Sequence, residues 1–176
     1  MENVLVLYFF CNNFLRGIIV KEEKTNVMRL LDGKKIPYVI LNYSQSGAIS
    51  GTDAADALKL PYERVFKTLV TVGKSNAHYV FDIPVHRELD LKKAAAAVGE
   101  KNVSMLKSKD LLPLTGYIHG GCSPIGMKKF FTTVFDSSAA DHDKIVFSAG
   151  KIGYFVEVPF SELGKIIKFS VAELCE

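Results

Sequence analysis

Residues 65–85, VFKTLVTVGKSNAHYVFDIPV, contain the two clearest strand signals of this 176-residue sequence. Residues 65–72 and 77–85 are rich in β-branched and aromatic side chains, which are enriched in β-strands. The four residues between them, Gly73-Lys74-Ser75-Asn76, have the composition of a turn. The stretch therefore predicts a β-hairpin near the middle of the chain.

Lys67 is the charged side chain in the first strand of this hairpin. Because side chains alternate between the two faces of a strand, Lys67 shares a face with Val65 and Leu69. Both faces are largely apolar, so the pattern predicts that the lysine enters a partly buried space. Burying an ammonium group without a partner is costly, so its head must reach water or meet an acceptor. Two hypotheses remain open: a lysine at the sheet edge that extends into water, and a lysine that binds an anion or takes part in catalysis.

Upstream of the hairpin the pattern alternates between helix and strand. A helix capped by Thr25 or Asn26 is predicted first, because apolar residues come after it at helical spacing. A strand is predicted at residues 38–43, and then a second helix that is capped by Thr52 and ends before Pro61.

Downstream of the hairpin, helices and strands are interspersed. Residues 108–110 are predicted to form a polar turn, with Pro113 breaking the chain after it. The other predicted elements are a helix at residues 91–98, strands at 102–106, 130–135, 144–148 and 153–159, and a final short helix capped by Ser161. This order predicts an α/β (α+β) fold, a single domain with a central mixed, largely antiparallel sheet flanked by helices.

Composition and charge exclude several classes of protein. Lysine and arginine number 22 and aspartate and glutamate 19, which leaves a net charge of +3. With 48% hydrophobic residues the chain is not disordered, and its charge is too small for a protein that coats nucleic acid by electrostatics alone. The three cysteines include no C-x-x-C pair, which favours reduced thiols in a cytoplasmic protein. No metal and no cofactor is expected.

Residues 1–23 are predicted to be an N-terminal extension outside the domain, which then comprises residues 24–176. The apolar run at residues 4–11 is too short for a membrane span, and the polar side chains of Asn12, Asn13 and Arg16 prevent its continuation. No interaction with a membrane is therefore expected.

A second candidate feature is the glycine-rich loop at residues 115–126, TGYIHGGCSPIG. Without Cβ atoms, the backbone N–H groups of Gly120 and Gly121 can approach a substrate carbonyl or a phosphate closely. His119 and Cys122 lie in the same loop as a candidate base and nucleophile, although packing roles fit them better. The residues taken alone thus predict a ligand-binding α/β domain and leave its reaction open.

Three separated motifs resemble one family when they are taken in order. They are VFKTL at residues 65–69, TGYIHGGCSPIG at 115–126 and SAGK at 148–151. Together they are similar to the YbaK/EbsC family, free-standing relatives of the editing domain that is inserted in bacterial prolyl-tRNA synthetases. The resemblance implies a trans-editing aminoacyl-tRNA deacylase that hydrolyses mischarged Cys-tRNA(Pro), and in some members Cys-tRNA(Cys).

The resemblance also implies roles for individual residues. Lys67 matches the family's essential lysine, which positions the aminoacyl ester and the 3′-terminal nucleotide. The substrate-binding residues that it implies are Tyr43, Thr68, Gly120, Gly121 and Ser148. The family's YbaK branch uses no protein nucleophile, because the thiol of the substrate itself attacks the ester. The implied partners are the acceptor end of an aminoacyl-tRNA and prolyl-tRNA synthetase.

Ser50 departs from the family pattern, because YbaK proper has a large aromatic side chain there. This difference leaves the preferred amino acid open, since a change in the wall of a pocket alters discrimination between similar substrates. Three alternatives stay open: editing of another mischarged tRNA such as Ala-tRNA(Pro), a non-catalytic module that binds aminoacyl-tRNA or a synthetase, and an EbsC-like regulator.

Overall fold

The computed structural model describes residues 24–176, so the predicted extension at residues 1–23 lies outside the described residues. The α-helices in this range are α1 (Asn26–Gly33), α2 (Gly51–Ala57), α3 (Leu91–Ala97) and α4 (Ser108–Thr115). The strands are β1 (Val39–Asn42), β2 (Phe66–Gly73), β3 (His78–Pro84), β4 (Val103–Met105), β5 (Thr132–Asp136), β6 (Lys144–Ser148), β7 (Tyr154–Pro159) and β8 (Phe169–Ala172). Short 3₁₀ helices lie at Tyr62–Arg64, Ser137–Asp141 and Phe160–Lys165.

The predicted hairpin is confirmed as β2 and β3. The two strands pair antiparallel from Phe66 opposite Pro84 to Val72 opposite His78. At the tip, Asn76 adopts a left-handed backbone with φ of 67°, a conformation that asparagine tolerates better than most residues.

The strands form two sheets. The larger has the order β4-β2-β3-β5-β8, antiparallel from β4 to β3 and parallel from β3 to β8. The smaller, β1-β7-β6, is antiparallel throughout. The predicted mixed and largely antiparallel architecture is therefore confirmed, although it is divided between two sheets.

The largest core cluster lies where the two sheets and α1 meet. Phe66 of β2 and Phe135 of β5 pack there with Phe147 of β6 and with Leu31 of α1. The shorter helices cover other surfaces: α2 packs near the start of β2, α3 on one face of the larger sheet and α4 on the other.

Local predictions were wrong at several element ends. Helix α2 is capped by Ser50, whose hydroxyl accepts from the backbone of Asp53, and Thr52 lies inside the helix. The last short helix is a 3₁₀ helix that starts at Phe160 without a side-chain cap, so Ser161 does not cap it. Strand β8 was not predicted.

The predicted turn at residues 108–110 is the start of α4, which contains Pro113. A proline inside a helix removes one backbone hydrogen bond. Here Leu111 and Thr115, four residues apart, are both buried on the inner side of the helix, and Gly116 closes it with a left-handed backbone. The burial of this side of the helix compensates for the missing bond, so Pro113 does not break the chain here.

Within residues 24–176, the longest apolar helical stretch falls short of what is needed to cross a bilayer.

Candidate functional site

The candidate site forms where β2 and β6 separate. The two strands meet at a single isolated parallel bridge between Val65 and Val146, both fully buried. Two residues further along in the same direction come Lys67 on β2 and Ser148 on β6. Because side chains alternate along a strand, Lys67 shares the face of Val65, and Ser148 shares the face of Val146. Lys67 and Ser148 therefore lie on the same side of the opening between the strands.

The ammonium group of Lys67 meets an acceptor at the edge of this opening. Its Nζ lies 3.0 Å from Oε1 of Glu88, and the two side chains are 27% and 80% exposed. The lysine stem is thus mostly covered while its head remains accessible, as the sequence predicts. An ion pair with so exposed a carboxylate contributes little, so an anionic ligand can displace Glu88.

Tyr43 lies on the same face as Ser148. Ser148 is opposite Phe155 in the pairing of β6 with β7, and the rings of Tyr43 and Phe155 are 4.7 Å apart. Burial raises the pKa of the Tyr43 hydroxyl, an effect that the backbone of Gly153 partly offsets. The hydroxyl of Ser148 accepts a hydrogen bond from the N–H of Gly150 at 3.2 Å, so its own proton can still be donated to a ligand.

The glycine loop packs against the turn that comes after Ser148. A Cβ atom added at Gly120 would lie 3.7 Å from the Ile152 side chain, and one added at Gly121 would lie 3.5 Å from the Ile152 backbone nitrogen. Gly121 is buried, and its N–H donates to the carbonyl of Ile118 at 3.0 Å. Gly120 is exposed with φ of 80°, and its N–H has no protein partner among residues 24–176. Of the two glycines, Gly120 is the one that can offer a backbone donor to a ligand.

Thr68 points to the opposite side of β2 from Lys67. Its hydroxyl donates to Oδ1 of Asp82 at 2.6 Å, directly across the strand pair. Asp82 is fully buried, its other carboxylate oxygen has no hydrogen-bond partner within residues 24–176, and burial raises its pKa to about 8. At neutral pH this carboxyl group is therefore mainly protonated beneath the site.

The two alternative catalytic residues of the loop differ in environment. His119 is exposed, whereas Cys122 is partly buried against core residues. Burial, and then the charge of Asp82, raise the pKa of the Cys122 thiol to about 12. A thiol that stays protonated at neutral pH is a poor nucleophile, which supports the packing role.

Ser50, the residue that departs from the family pattern, has a structural task here. Its side chain and that of Asp53 form a reciprocal cap at the start of α2. Gly51 next to it packs against Val85, where a Cβ atom would lie 2.3 Å from a Val85 methyl group. Ser50 thus ends the loop after Tyr43 and begins the helix that covers this side of the site.

The structure brings Lys67, Tyr43 and Ser148 to one face, places Gly120 and Gly121 beside the adjoining turn, and directs Thr68 to the other face of β2. Sequence reasoning missed Asp82 and Glu88. Asp82 had a signal, because it is a lone acid in the apolar run VFDIPV at residues 80–85. Glu88 had none, since its approach to Lys67 depends on how the chain turns after β3.

Comparison with known proteins identifies related sequences. Residues 47–166 match the family described as "Aminoacyl-tRNA editing domain". This range contains all the candidate site residues except Tyr43. An Enterococcus faecalis protein named "Putative Cys-tRNA(Pro)/Cys-tRNA(Cys) deacylase EbsC" is 46% identical over 138 residues, which cover 78% of this chain and 84% of that protein.

Solved structures with a similar fold have lower sequence identity. One is described as "a putative trans-editing enzyme for prolyl tRNA synthetase", with a TM-score of 0.76, 23% identity and coverage of 86% of this chain and 95% of that one. A second, a hypothetical protein, has a TM-score of 0.77, 19% identity and coverage of 86% and 100%. These likenesses establish the fold, a single domain with the same arrangement of helices and strands.

Proposed function

The chain belongs to the aminoacyl-tRNA editing domain family, and we propose that it acts as a deacylase that hydrolyses the ester bond of mischarged Cys-tRNA(Pro). The observation that carries this proposal is the 46% identity, over 84% of its length, to a relative whose name specifies deacylation of Cys-tRNA(Pro) and Cys-tRNA(Cys). The resemblance seen in the three sequence motifs leads to the same activity.

The residues around the opening between β2 and β6 suit an ester with a phosphate nearby. The ammonium of Lys67 can neutralise the phosphate of the terminal nucleotide or the charge that develops on the ester oxygen. The N–H of Gly120 and the hydroxyl of Ser148 can donate hydrogen bonds to substrate oxygen atoms. Tyr43 provides an aromatic wall beside them.

The substrate thiol supplies the nucleophile in this proposal. Its sulfur attacks the ester carbonyl carbon, an S–C bond forms, and the C–O bond to the ribose breaks. The thiol proton passes to the ribose oxygen that leaves, which gives free tRNA and a cyclic thioester of cysteine. Water then opens this thioester to cysteine. The high pKa of Cys122 supports a mechanism in which the protein contributes no sulfur nucleophile.

Deacylation of purified Cys-tRNA(Pro) tests the proposal. Wild-type protein should release cysteine, and Lys67→Ala should lower the rate about 100- to 1000-fold, the usual effect of removing one preorganised electrostatic group. Lys34→Ala, at an exposed lysine just after α1, is the matched control and should retain full activity. Unchanged release by Lys67→Ala would contradict the role of this lysine.

The preferred amino acid requires a separate measurement, because Ser50 replaces the aromatic residue of YbaK proper. Deacylation rates with cysteine, alanine, serine and proline on the same tRNA(Pro) rank the substrates directly. We expect cysteine to react fastest because it alone carries a thiol. Equal rates for cysteine and serine would contradict assistance by the thiol.

The same assays separate the alternatives. A non-catalytic binding module would bind charged tRNA without shortening its lifetime. A small-molecule regulator would neither bind charged tRNA nor shorten its lifetime. A partnership with prolyl-tRNA synthetase is part of the proposal and predicts that added synthetase lowers the KM for Cys-tRNA(Pro).

A further inference from the structure

Helix α4 and residues 128–131 form one continuous surface on the larger sheet, called here the α4 surface. A cavity of about 300 Å³ lies within it, lined by His78, Leu106, Asp110, Pro113, Leu114 and Lys129. Lys128 joins the two segments, because its Nζ lies 3.4 Å and 3.5 Å from the carbonyl oxygens of Leu112 and Pro113 at the end of α4.

This surface is positively charged and its lysines are not neutralised. Lys107 and Lys109 at the start of α4, with Lys128 and Lys129, are all exposed, and within residues 24–176 none of the four forms an ion pair. Asp110 is the carboxylate among them. This leaves the surface with an excess of three positive charges.

An exposed aromatic ring follows two of these lysines in the chain. Phe130, directly after Lys128 and Lys129, is 96% exposed, whereas its neighbour Phe131 packs against the core and lies near the ring of His78. Lysines beside an exposed ring are the combination that binds single-stranded nucleic acid, since phosphates meet the charges and a base stacks on the ring.

The α4 surface adjoins the candidate site. The glycine loop connects them, because it begins at Thr115, the last residue of α4, and carries Gly120. The end of α4 approaches the site through Tyr117, since a Cβ atom added at Gly150, two residues after Ser148, would lie 2.9 Å from the Tyr117 ring. Helix α4 covers the face of the larger sheet opposite Lys67, so a nucleic acid strand whose last nucleotide is held at Lys67 would pass over the glycine loop to reach the α4 surface.

We propose that the α4 surface binds the single-stranded 3′ end of tRNA upstream of the aminoacylated nucleotide, with Phe130 stacking on a base and Lys107 and Lys129 contacting phosphates. This inference rests on the proposed function, because that function places the ester near Lys67. It also gives a role to the exposed ring of Phe130, which follows two lysines in the chain.

Binding of an uncharged acceptor-stem hairpin with its single-stranded 3′ end, measured by fluorescence anisotropy across a range of salt concentrations, tests the proposal. The double variant Lys107→Ala/Lys129→Ala should bind more weakly and lower the salt slope by about 1.4, because each phosphate contact to a single strand contributes about 0.7. Phe130→Ala should weaken binding roughly tenfold without changing this slope.

The matched control is Lys34→Ala/Lys92→Ala, which also removes two exposed lysines. Lys92 lies on α3, which packs with Phe81, while α4 packs with Val80, so the two helices cover opposite faces of the sheet. The control should bind almost as wild type does. Surface variants that bind as tightly as the control would overturn the proposal. The proposal would also be overturned if Phe130→Ala weakened binding by the same factor with a hairpin trimmed to a blunt end, because the ring would then not act on the single strand.

Deacylation assays on the same proteins keep the two proposals apart. If wild-type protein binds the hairpin through the α4 surface but releases no cysteine, the proposed function fails and the surface stands. If wild-type protein deacylates and the surface variants retain its KM and its hairpin affinity, the surface proposal fails and the function stands.

Discussion

Lys67 and Thr68 are adjacent in sequence and lie in opposite environments. On one side of β2, Lys67 reaches an exposed carboxylate at the edge of the opening towards β6. On the other side, Thr68 donates to Asp82, a fully buried acid with one oxygen that has no hydrogen-bond partner in the described part of the chain. The first side offers a charge that a ligand can use, and the second has its polar groups enclosed by the fold.

This difference shows how one strand can serve binding and structure at the same time. A ligand can replace the Lys67–Glu88 pair at little cost, because exposed ion pairs are weak. The Thr68–Asp82 bond cannot be replaced by water without opening the core, and buried polar groups that lose a partner are costly. Substitutions on the two sides should therefore change different properties of the protein.

The largest effect should come from comparing Lys67→Met with Thr68→Val. Lys67→Met should lower deacylation at least 100-fold with little change in the midpoint of urea unfolding, because an exposed charge is lost. Thr68→Val should lower the free energy of unfolding by about 1–3 kcal/mol, because it removes the hydrogen-bond donor to buried Asp82. Equal losses of activity and stability in both variants would abolish the distinction between the two sides.

Asp82 predicts a dependence of stability on pH. Its pKa is about 8 in the folded protein and near 4 in the unfolded chain, so between these values the unfolded state binds fewer protons. Stability should therefore fall as the pH rises from about 4 to about 8, by at most roughly 1.4 kcal/mol per pH unit, and level off above 8.

The comparison that isolates this effect is wild type against Asp82→Asn, by thermal unfolding at several pH values. At any single pH, the difference in unfolding temperature between the two proteins also depends on packing and hydrogen bonds. The test is therefore how this difference changes with pH. Asn does not titrate, so the stability of the variant relative to the wild type should increase as the pH rises towards 8. Parallel curves would show that Asp82 does not titrate abnormally.

Gly120 and Gly121 predict a smaller contrast within the site. Gly120 has φ of 80°, where an alanine is strained by about 1–2 kcal/mol. At Gly121 an added Cβ would meet the nearest atom, the Ile152 backbone nitrogen, at an ordinary 3.5 Å. Gly120→Ala should therefore lower both stability and activity, and Gly121→Ala should change each much less, as urea unfolding and deacylation rates can measure. The reverse order would contradict the backbone geometry of the loop.

Glu88→Gln should have the smallest effect. The carboxylate is 80% exposed, so losing its ion pair with Lys67 should leave the unfolding midpoint almost unchanged. The deacylation rate should stay within about twofold of wild type, because solvent and substrate replace Glu88 readily. A loss as large as that of Lys67→Met would indicate that Glu88 itself takes part in the reaction.

Much of the fold could be predicted from local sequence. The hairpin and the cap of α1 at Thr25 depend on residues close together in the chain, and both are observed. The errors came where tertiary packing outweighed local preference. Helix α4 forms despite Pro113 because Leu111 and Thr115 bury one side of it, and β8 forms because β5 offers it an edge.

The candidate site divides in the same way. Lys67 stood out from sequence because a charged residue in an apolar strand needs a special environment, and the glycine loop stood out because of its composition. By the same reasoning Asp82 could have been found. Neither Glu88 nor the different directions of Thr68 and Lys67 relative to the opening could be inferred from one strand alone, because the opening itself is made by a second strand.

The sequence by itself determined most of the elements, the alternation of side chains along β2 and the family, because each depends on residue types and short spacings. Only the tertiary structure decided that β2 and β6 meet at Val65 and Val146 and then separate beside Lys67 and Ser148. It also decided that Asp82 is enclosed and that the scattered lysines of α4 and residues 128–129 share one surface. These features join segments tens of residues apart, and strand pairing and burial over such separations depend on the packing of the whole domain.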